Sequence, residues 1–253
     1  MFTSVRRGLL TLVVVLGVWE LVARLWFPVY TLPPPSTVAR TLWDITRNGV
    51  LWDQLKVSLV RVGLGYLLAA ALAIPLGVVT GWWSLASQTV GSFLEILRPI
   101  PSLALIPLAI VWLGIGEWSK IAIIAYASFF SIYINTQAGV KNVDPAHLSA
   151  IRIYGRGTRD LILKVVAFSI LPYVFTGLRY SASVAIILLV AVELVGSQSG
   201  LGAYLVQQQS FLQVPQMFAA IAMFGLLGFV ANLVILQVEK RVIRWREDVT
   251  VSV

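Results

Sequence analysis

Long apolar stretches separated by short polar ones dominate the sequence. About 20 apolar residues, at roughly 1.5 Å each, cross the hydrocarbon core of a bilayer as an α-helix. Six stretches reach this length, over residues 8–27, 57–80, 85–113, 118–140, 165–195 and 217–238. Only helices and closed barrels satisfy the backbone in lipid, and these stretches are too long and continuous for barrel strands. The pattern predicts an all-α, polytopic membrane protein with one transmembrane domain over residues 1–253.

The start of the chain carries further signals. Arg6 and Arg7 before the first stretch resemble a secretory signal, but Glu20 and Arg24 near its far end favour a retained first span. After this span, three prolines at residues 33–35 end any helix, and the next residue, a serine, is suited to cap a new one. Apolar residues then recur at helical spacing up to residue 46, which predicts a short amphipathic helix on the membrane surface.

The third apolar stretch is interrupted by Arg98-Pro99-Ile100-Pro101. Two prolines this close together do not fit an unbroken helix, so a kink or break is expected there. A broken helix survives at membrane depth only where protein or a water-filled cavity surrounds it. Arg98, Pro99 and Pro101 are therefore candidates for a translocation pathway.

Polar side chains within other spans add to these candidates. Asn135 is one of three adjacent polar residues near the end of the fourth span, and Glu193 lies deep in the fifth. A carboxylate at the bilayer centre is costly unless it faces a partner or water. Glu95 and Arg98, three residues apart, are suited to pair with each other. Two interpretations stay open, since these groups either line a pathway or hold helices together.

Composition agrees with the membrane prediction and excludes most enzyme classes. Of 253 residues, 58% are hydrophobic and 12% are charged, against about 25% charged in soluble domains. With no cysteine and His147 as the single histidine, a Cys/His metal site or a histidine-based triad is excluded. The phosphate-binding loop G-x-x-x-x-G-K-[ST] is also absent, so no bound cofactor, metal or catalytic residue is expected.

The distribution of cations predicts the orientation and a membrane partner. Eleven of the 19 lysines and arginines lie at the chain ends or in the polar segment 141–164. Six spans put these regions on one side, which is cytoplasmic by the positive-inside rule. We therefore expect both termini in the cytoplasm and a place in a bacterial inner membrane. The net charge of +8 then fits anionic lipid, and no nucleic-acid partner is expected.

The polar segment carries a recognisable pattern. Residues 143–155, with Ile170-Leu171-Pro172 and Thr176-Gly177-Leu178-Arg179, resemble the cytoplasmic loop of permease subunits of binding-protein-dependent ABC importers. That loop follows E-A-A, three residues, glycine, nine residues, I-x-L-P. Ser149-Ala150-Ile151 stand at the E-A-A positions and Gly155 at the glycine, whereas residues 165–168 replace I-x-L-P. Further motifs resemble the nitrate, sulfonate and taurine importer group, so that the resemblance covers about residues 9–245. These motifs are residues 32–35, 58–61, 98–101, 110–117, 191–194 and 200–202.

The resemblance implies a type I ABC importer permease fold and an ATP-driven mechanism. Two copies of the permease would form the pathway as a homodimer. The transported solute would be small, an anion such as a sulfonate, taurine or nitrate. Two separate ATPase subunits would use ATP and Mg, and an extracytoplasmic solute-binding protein would deliver the solute. The segment 141–164 would supply the coupling helix. The residues implied in ATPase coupling are Asp144, Ser149, Ala150, Ile151, Arg152, Tyr154, Gly155 and Arg156.

Two other classes of function fit parts of the pattern. A channel or secondary transporter would use the interrupted third span and Glu193 without any ATPase. A membrane-embedded enzyme would use Glu95 or Glu193 as an acid or base, but no nucleophile, metal set or second catalytic group accompanies them. The sequence does not identify the transported solute.

Overall fold

The computed structural model describes residues 2–144 and 166–244, and every regular element within them is helical. This confirms the all-α prediction. Two helices contain breaks in regularity: a π turn at Ser87–Gly91 and a 3₁₀ turn at Ser102–Leu105. The helices are α1 (Phe2–Trp26), α2 (Pro35–Arg47), α3 (Val50–Trp82), α4 (Ser84–Leu97), α5 (Ser102–Leu113), α6 (Glu117–Lys141), α7 (Ala167–Leu194), α8 (Leu201–Ser210) and α9 (Val214–Val242).

Several helices are long and apolar enough to cross a bilayer. By length and composition, α3, α6, α7 and α9 qualify singly among the described residues, and α4 with α5 qualifies as one bent pair. The two arms of this pair meet at 83°, next to Pro99 and Pro101, so the predicted break is confirmed. Helix α1 has 25 residues. The count of six spans stays a prediction.

The start of α2 differs from the sequence prediction. The helix begins at Pro35 with Pro34 in the capping position, so the prediction that Ser36 caps it is wrong. Proline suits the first helical position because its φ is preset and its missing N–H would have no partner there. The backbone N–H and hydroxyl of Ser36 instead donate to the Glu20 carboxylate of α1, at 3.0 and 2.7 Å.

The described chain forms two compact units. The N-terminal unit is Met1–Leu59 with Glu193–Leu226, and the core unit is Val60–Val192 with Leu227–Val253. In the N-terminal unit the rings of Trp19 and Phe218 pack at 5.9 Å, which joins α1 to the beginning of α9.

In the core unit, a row of small residues on α3 packs along α6. A Cβ at Gly65 would lie 2.8 Å from the Cβ of Ile124, and Gly77 and Gly81 meet Thr136 and Val140 in the same way. Each pair is separated by 59 positions, so the two helices run parallel at a constant register. Residues 69 and 73, both buried alanines, continue the row. Small residues at every fourth position let two helix backbones approach closely in lipid.

Because α3 and α6 are parallel, the chain between them must return along the unit. The hydroxyl of Tyr126, nine residues into α6, donates to the carbonyl of Leu97 at 2.8 Å, just before the bend. Gly91, earlier on α4, lies by the side chains of Tyr133 and Gln137, so α4 is antiparallel to α6. The bend thus lies beside the interior of α6. Helices α4 and α5 together therefore form one broken span.

The close contacts of the glycine row lead to a stability prediction. A Gly77→Ala substitution is expected to lower the free energy of unfolding by roughly 1–3 kcal/mol, because its Cβ would lie 2.7 Å from the Cβ of Thr136. Gly63→Ala on the same helix is the control, since no atom lies within 4 Å of a Cβ there. Thermal unfolding of the detergent-purified protein measures both, and equal melting temperatures for the two variants would contradict the close packing.

Candidate translocation and coupling sites

The segment predicted to couple to an ATPase emerges from a packed base in the core unit. Val140 precedes the segment 141–164, Val143 lies near its start and Val166 follows it, and all three are buried in one cluster with Ile170 and Val174. Helix α3 packs against the cluster through three partly buried side chains, Ile74, Val78 and Trp82. Both ends of the segment are therefore anchored to the same three helices.

The helix directions place this base at one end of the core unit. Gly139 meets Tyr173 and Gly177 meets Asn135, so α7 runs antiparallel to α6. Arg179 of α7 forms an ion pair with Glu239 near the end of α9, so α9 runs antiparallel to α7. The ends of α3, α6 and α9 and the start of α7 therefore lie together.

Most of the predicted coupling residues lie outside the described residues. They are Ser149, Ala150, Ile151, Arg152, Tyr154, Gly155 and Arg156. Asp144 is described and is exposed directly after Val143 of the base. The roles of these residues stay predictions.

The polar residues near the end of α6 are satisfied within the protein. The amide of Asn135 donates to the carbonyl of Ser131 at 2.8 Å, and its Cβ lies against Gly177 of α7. The amide of Gln137 donates to the hydroxyls of Thr80 and Tyr133, both at 3.2 Å. Half-buried Asn135 thus lies at the contact between α6 and α7.

At the bend, Arg98, Pro99 and Pro101 are all exposed. In the described part of the chain, Glu95 and Arg98 form no ion pair, so the predicted pairing is wrong. The helical spacing is kept, since Arg98 has helical backbone angles and its N–H donates to the carbonyl of Leu94, but both side chains are exposed and stay apart. The bend also lies beside Tyr126 of α6. Tyr126 is nine residues before Asn135, so the two residues are about 13 Å apart along the helix axis. The structure therefore does not bring Arg98 beside Asn135.

Glu193 occupies a buried hydrogen-bonded site in the N-terminal unit. Its side chain is 1% exposed. The hydroxyl of Ser58 donates to the carboxylate at 2.7 and 2.9 Å, and the backbone N–H of Gly202 donates at 2.8 Å. A Cβ at Gly202 would lie 2.5 Å from that of Glu193, so only glycine permits this approach. The carboxylate thus joins α3, the end of α7 and the first turn of α8, where a negative charge also suits the helix dipole.

A polar cavity of about 350 Å³ opens beside this site, within the N-terminal unit. Its lining includes the amides of Gln54, Gln198 and Gln207. Gln54 also accepts a hydrogen bond from the backbone N–H of Gly200 at 2.7 Å. Burial raises the pKa of the Tyr204 hydroxyl, another lining group, so this phenol stays neutral at physiological pH.

Sequence reasoning missed an ion pair in the core unit. Arg61 is 1% exposed, and its Nε and Nη2 donate to the two carboxylate oxygens of Glu117 at 2.5 and 2.7 Å. Lys120 lies 3.5 Å from the same carboxylate. Arg61 and Glu117 belong to two separate motifs of the family resemblance, and nothing in their spacing of 56 residues indicates contact. The pair joins α3 to the start of α6.

Comparison with known proteins then identifies the family. The family model described as "Binding-protein-dependent transport system inner membrane component" matches residues 73–244. The chain belongs to this family. Over residues 2–144 and 166–244, no group of three or more histidine, aspartate or glutamate side chains is placed to hold a metal ion.

Full-length relatives support the same conclusion. A Bacillus subtilis protein named as an aliphatic sulfonates transport permease, SsuC, is 33% identical over 96% of this chain and 88% of its own length. The taurine transport system permease protein TauC of Escherichia coli is 33% identical over 94% and 89%. The formylaminopyrimidine transport permease protein ThiX of Halalkalibacterium halodurans is 28% identical over 91% and 92%.

The chain is therefore a multi-pass ABC importer permease of the sulfonate and taurine group. Its family consists of transport proteins rather than enzymes. Membership of this family favours the permease over the three alternatives considered from the sequence, which were a secondary transporter, a channel and a membrane-embedded enzyme. ABC permeases of this family work in general with ATPase and binding-protein partners.

Proposed function

We propose that this chain is the membrane subunit of an ATP-driven importer for a small organic anion, a sulfonate such as taurine. The names of two relatives that align over nearly the whole chain support this solute class. Nitrate belongs to the same importer group by the sequence resemblance. The pyrimidine named for a third relative is the main competing solute class.

The observation that carries the coupling mechanism is the packed base of the segment 141–164. Val143 lies near the start of that segment and Val166 just after its end, and both are buried in a cluster that α3, α6 and α7 share. Packed interiors transmit a displacement because they contain few voids to absorb it. An ATPase that moves the segment, through Ser149 to Arg156, would therefore move the three helices together.

The proposal includes the partners that the family resemblance implies and the orientation that the cation distribution favours. Two copies of the chain form a homodimeric pathway, two ATPase subunits bind ATP and Mg at the end that carries Asp144, and a binding protein docks at the other end. The termini and the coupling segment lie in the cytoplasm of a bacterial cell. The described end of the core unit carries Lys141, Lys240, Arg241 and Arg244, which the positive-inside rule favours there.

The pathway proposal rests on the broken span. Arg98, Pro99 and Pro101 are exposed at an 83° bend beside the interior of α6, and irregular backbone at that depth requires protein or a water-filled cavity. Asn135, half-buried at the contact of α6 with α7, adds a second polar group. For Glu193 the hydrogen bonds favour the interpretation that it holds helices together.

Uptake by the reconstituted complex tests the proposed function. Proteoliposomes containing the permease, its ATPase and its binding protein are expected to accumulate labelled taurine or an alkanesulfonate. This uptake should require ATP on the side of the membrane where the ATPase lies. An ATPase variant that does not hydrolyse ATP is the control. Uptake that persists with this variant would contradict the ATP-driven mechanism, and ATP-dependent uptake of a pyrimidine alone would contradict the sulfonate assignment.

A further inference from the structure

A second cavity lies at the junction of α1 and α2, within the N-terminal unit. It has a volume of about 480 Å³, within the range of roughly 300–1,000 Å³ that is usual for ligand pockets. Arg24 and Arg40 line it, together with Ser36, Thr37 and Phe27. These residues precede the region 73–244 that the family model matches.

The charges around this cavity leave one cation without a partner. Arg24 donates from Nε to Glu20 at 2.6 Å and from Nη2 to the hydroxyl of Ser36 at 3.2 Å. Its charge is therefore balanced by a carboxylate, whereas Arg40 forms no ion pair with any described residue. The cavity consequently carries one net positive charge, and guanidinium groups that line a cavity are suited to bind an oxyanion.

The surface around the cavity is typical of a membrane interface. Trp26, Tyr30 and Trp43 are 75%, 73% and 68% exposed. Tryptophan and tyrosine are enriched at the level of lipid head groups, where one end of the side chain is apolar and the other is wet. On α2, Trp43 lies on the same exposed face as Arg40 and Arg47, which are one turn away on either side.

We propose that this cavity binds the phosphate group of a membrane lipid, held by Arg40 and supported by Arg24. The lipid chains would lie along the exposed apolar surface of α1, where residues such as Leu21 and Leu25 are 61% and 72% exposed. The binding fixes the angle at which α1 enters α2, in addition to the Glu20 contacts. This site is independent of solute transport, so its test does not depend on the proposed function.

The test measures the melting temperature of the detergent-purified protein by tryptophan fluorescence. Dioleoylphosphatidylglycerol is expected to raise it by roughly 3–5 °C in the wild-type protein. Dioleoylglycerol, with the same chains and no phosphate, is expected to produce no such shift. The Arg40→Gln variant should lose more than half of the shift, whereas Arg47→Gln should keep it, because Arg47 lies on the same helix but outside the cavity. Native mass spectrometry counts bound lipid independently of stability.

Three outcomes would overturn the proposal. Equal shifts in the Arg40→Gln and Arg47→Gln variants would mean general attraction between cations and anionic lipid. The same shift with inorganic phosphate at equal concentration would assign the site to a free anion instead of a lipid. An absence of any lipid shift in the wild-type protein, with no lipid retained in the mass spectrum, would show that the cavity has no such occupant.

Discussion

Replacing Glu193 with leucine is expected to destabilise the folded permease by roughly 2–4 kcal/mol, since two buried donors would lose their acceptor. These donors are the Ser58 hydroxyl and the Gly202 N–H. Leucine avoids the cost of burying a charge, and such replacements are often neutral where both partners become apolar. Here the donors remain, and one of them is backbone. Thermal unfolding in detergent measures the loss, with a decrease of several degrees expected.

The control for this variant is Glu95→Leu. Glu95 is exposed and forms no ion pair with a described residue, so the same change there should leave the melting temperature nearly unchanged. A double-mutant cycle with Ser58→Ala then tests the contact itself, because the combined loss should be smaller than the sum of the single losses. If Glu193→Leu abolishes uptake at an unchanged melting temperature, the carboxylate lines the pathway and the helix-joining interpretation is wrong.

Replacing Gly155 with arginine is expected to reduce ATP-driven uptake to the level measured without ATP. The resemblance implies that this glycine allows the tight turn after the coupling helix, and a long charged side chain would obstruct both the turn and the ATPase contact. Among the described residues, the packed base consists of Val140, Val143, Val166, Ile170 and Val174, and the substitution changes none of these side chains. The purified variant should therefore keep its melting temperature.

Two further measurements make this prediction specific. ATP hydrolysis by the reconstituted complex should lose its stimulation by the loaded binding protein, and less ATPase should co-purify with the variant. Gly8→Arg is the matched control, because no atom lies within 4 Å of a Cβ there and its predicted position is on the same side of the membrane. Normal uptake by the Gly155→Arg variant would be fatal to the assignment of the coupling segment.

We expect the stability of the helical core to be separable from the proposed pathway role of the residues at the bend. The glycine row of α3 and the Arg61–Glu117 pair hold α3 against α6, one by close packing and the other by a bidentate contact from the buried Arg61. Neither involves the exposed residues at the bend. Variants of Arg98 are therefore expected to affect transport with little effect on the packing of α3 and α6.

The sequence by itself determined the helical class, the apolar helices and the break at Pro99 and Pro101. These features are local or compositional, because the bilayer imposes length and apolarity on a span and proline removes a helical hydrogen bond whatever its surroundings. The same applies to the family, since its motifs are short continuous segments.

Only the tertiary structure decided which polar groups meet. Ser58 and Glu193 are 135 positions apart and Arg61 and Glu117 are 56 apart, so their contacts depend on the register of whole helices. Sequence reasoning paired Glu95 with Arg98 because they are neighbours on an ideal helix, and it gave Ser36 the role of a cap for the same local reason. In the folded chain Glu20 reaches Ser36 from another helix, and Glu95 and Arg98 form no ion pair although the backbone at Arg98 is still helical. The backbone sets the spacing of residues along one helix. Contacts between helices depend on how residues far apart in the sequence pack together, and the local pattern of a single sequence does not reveal this packing.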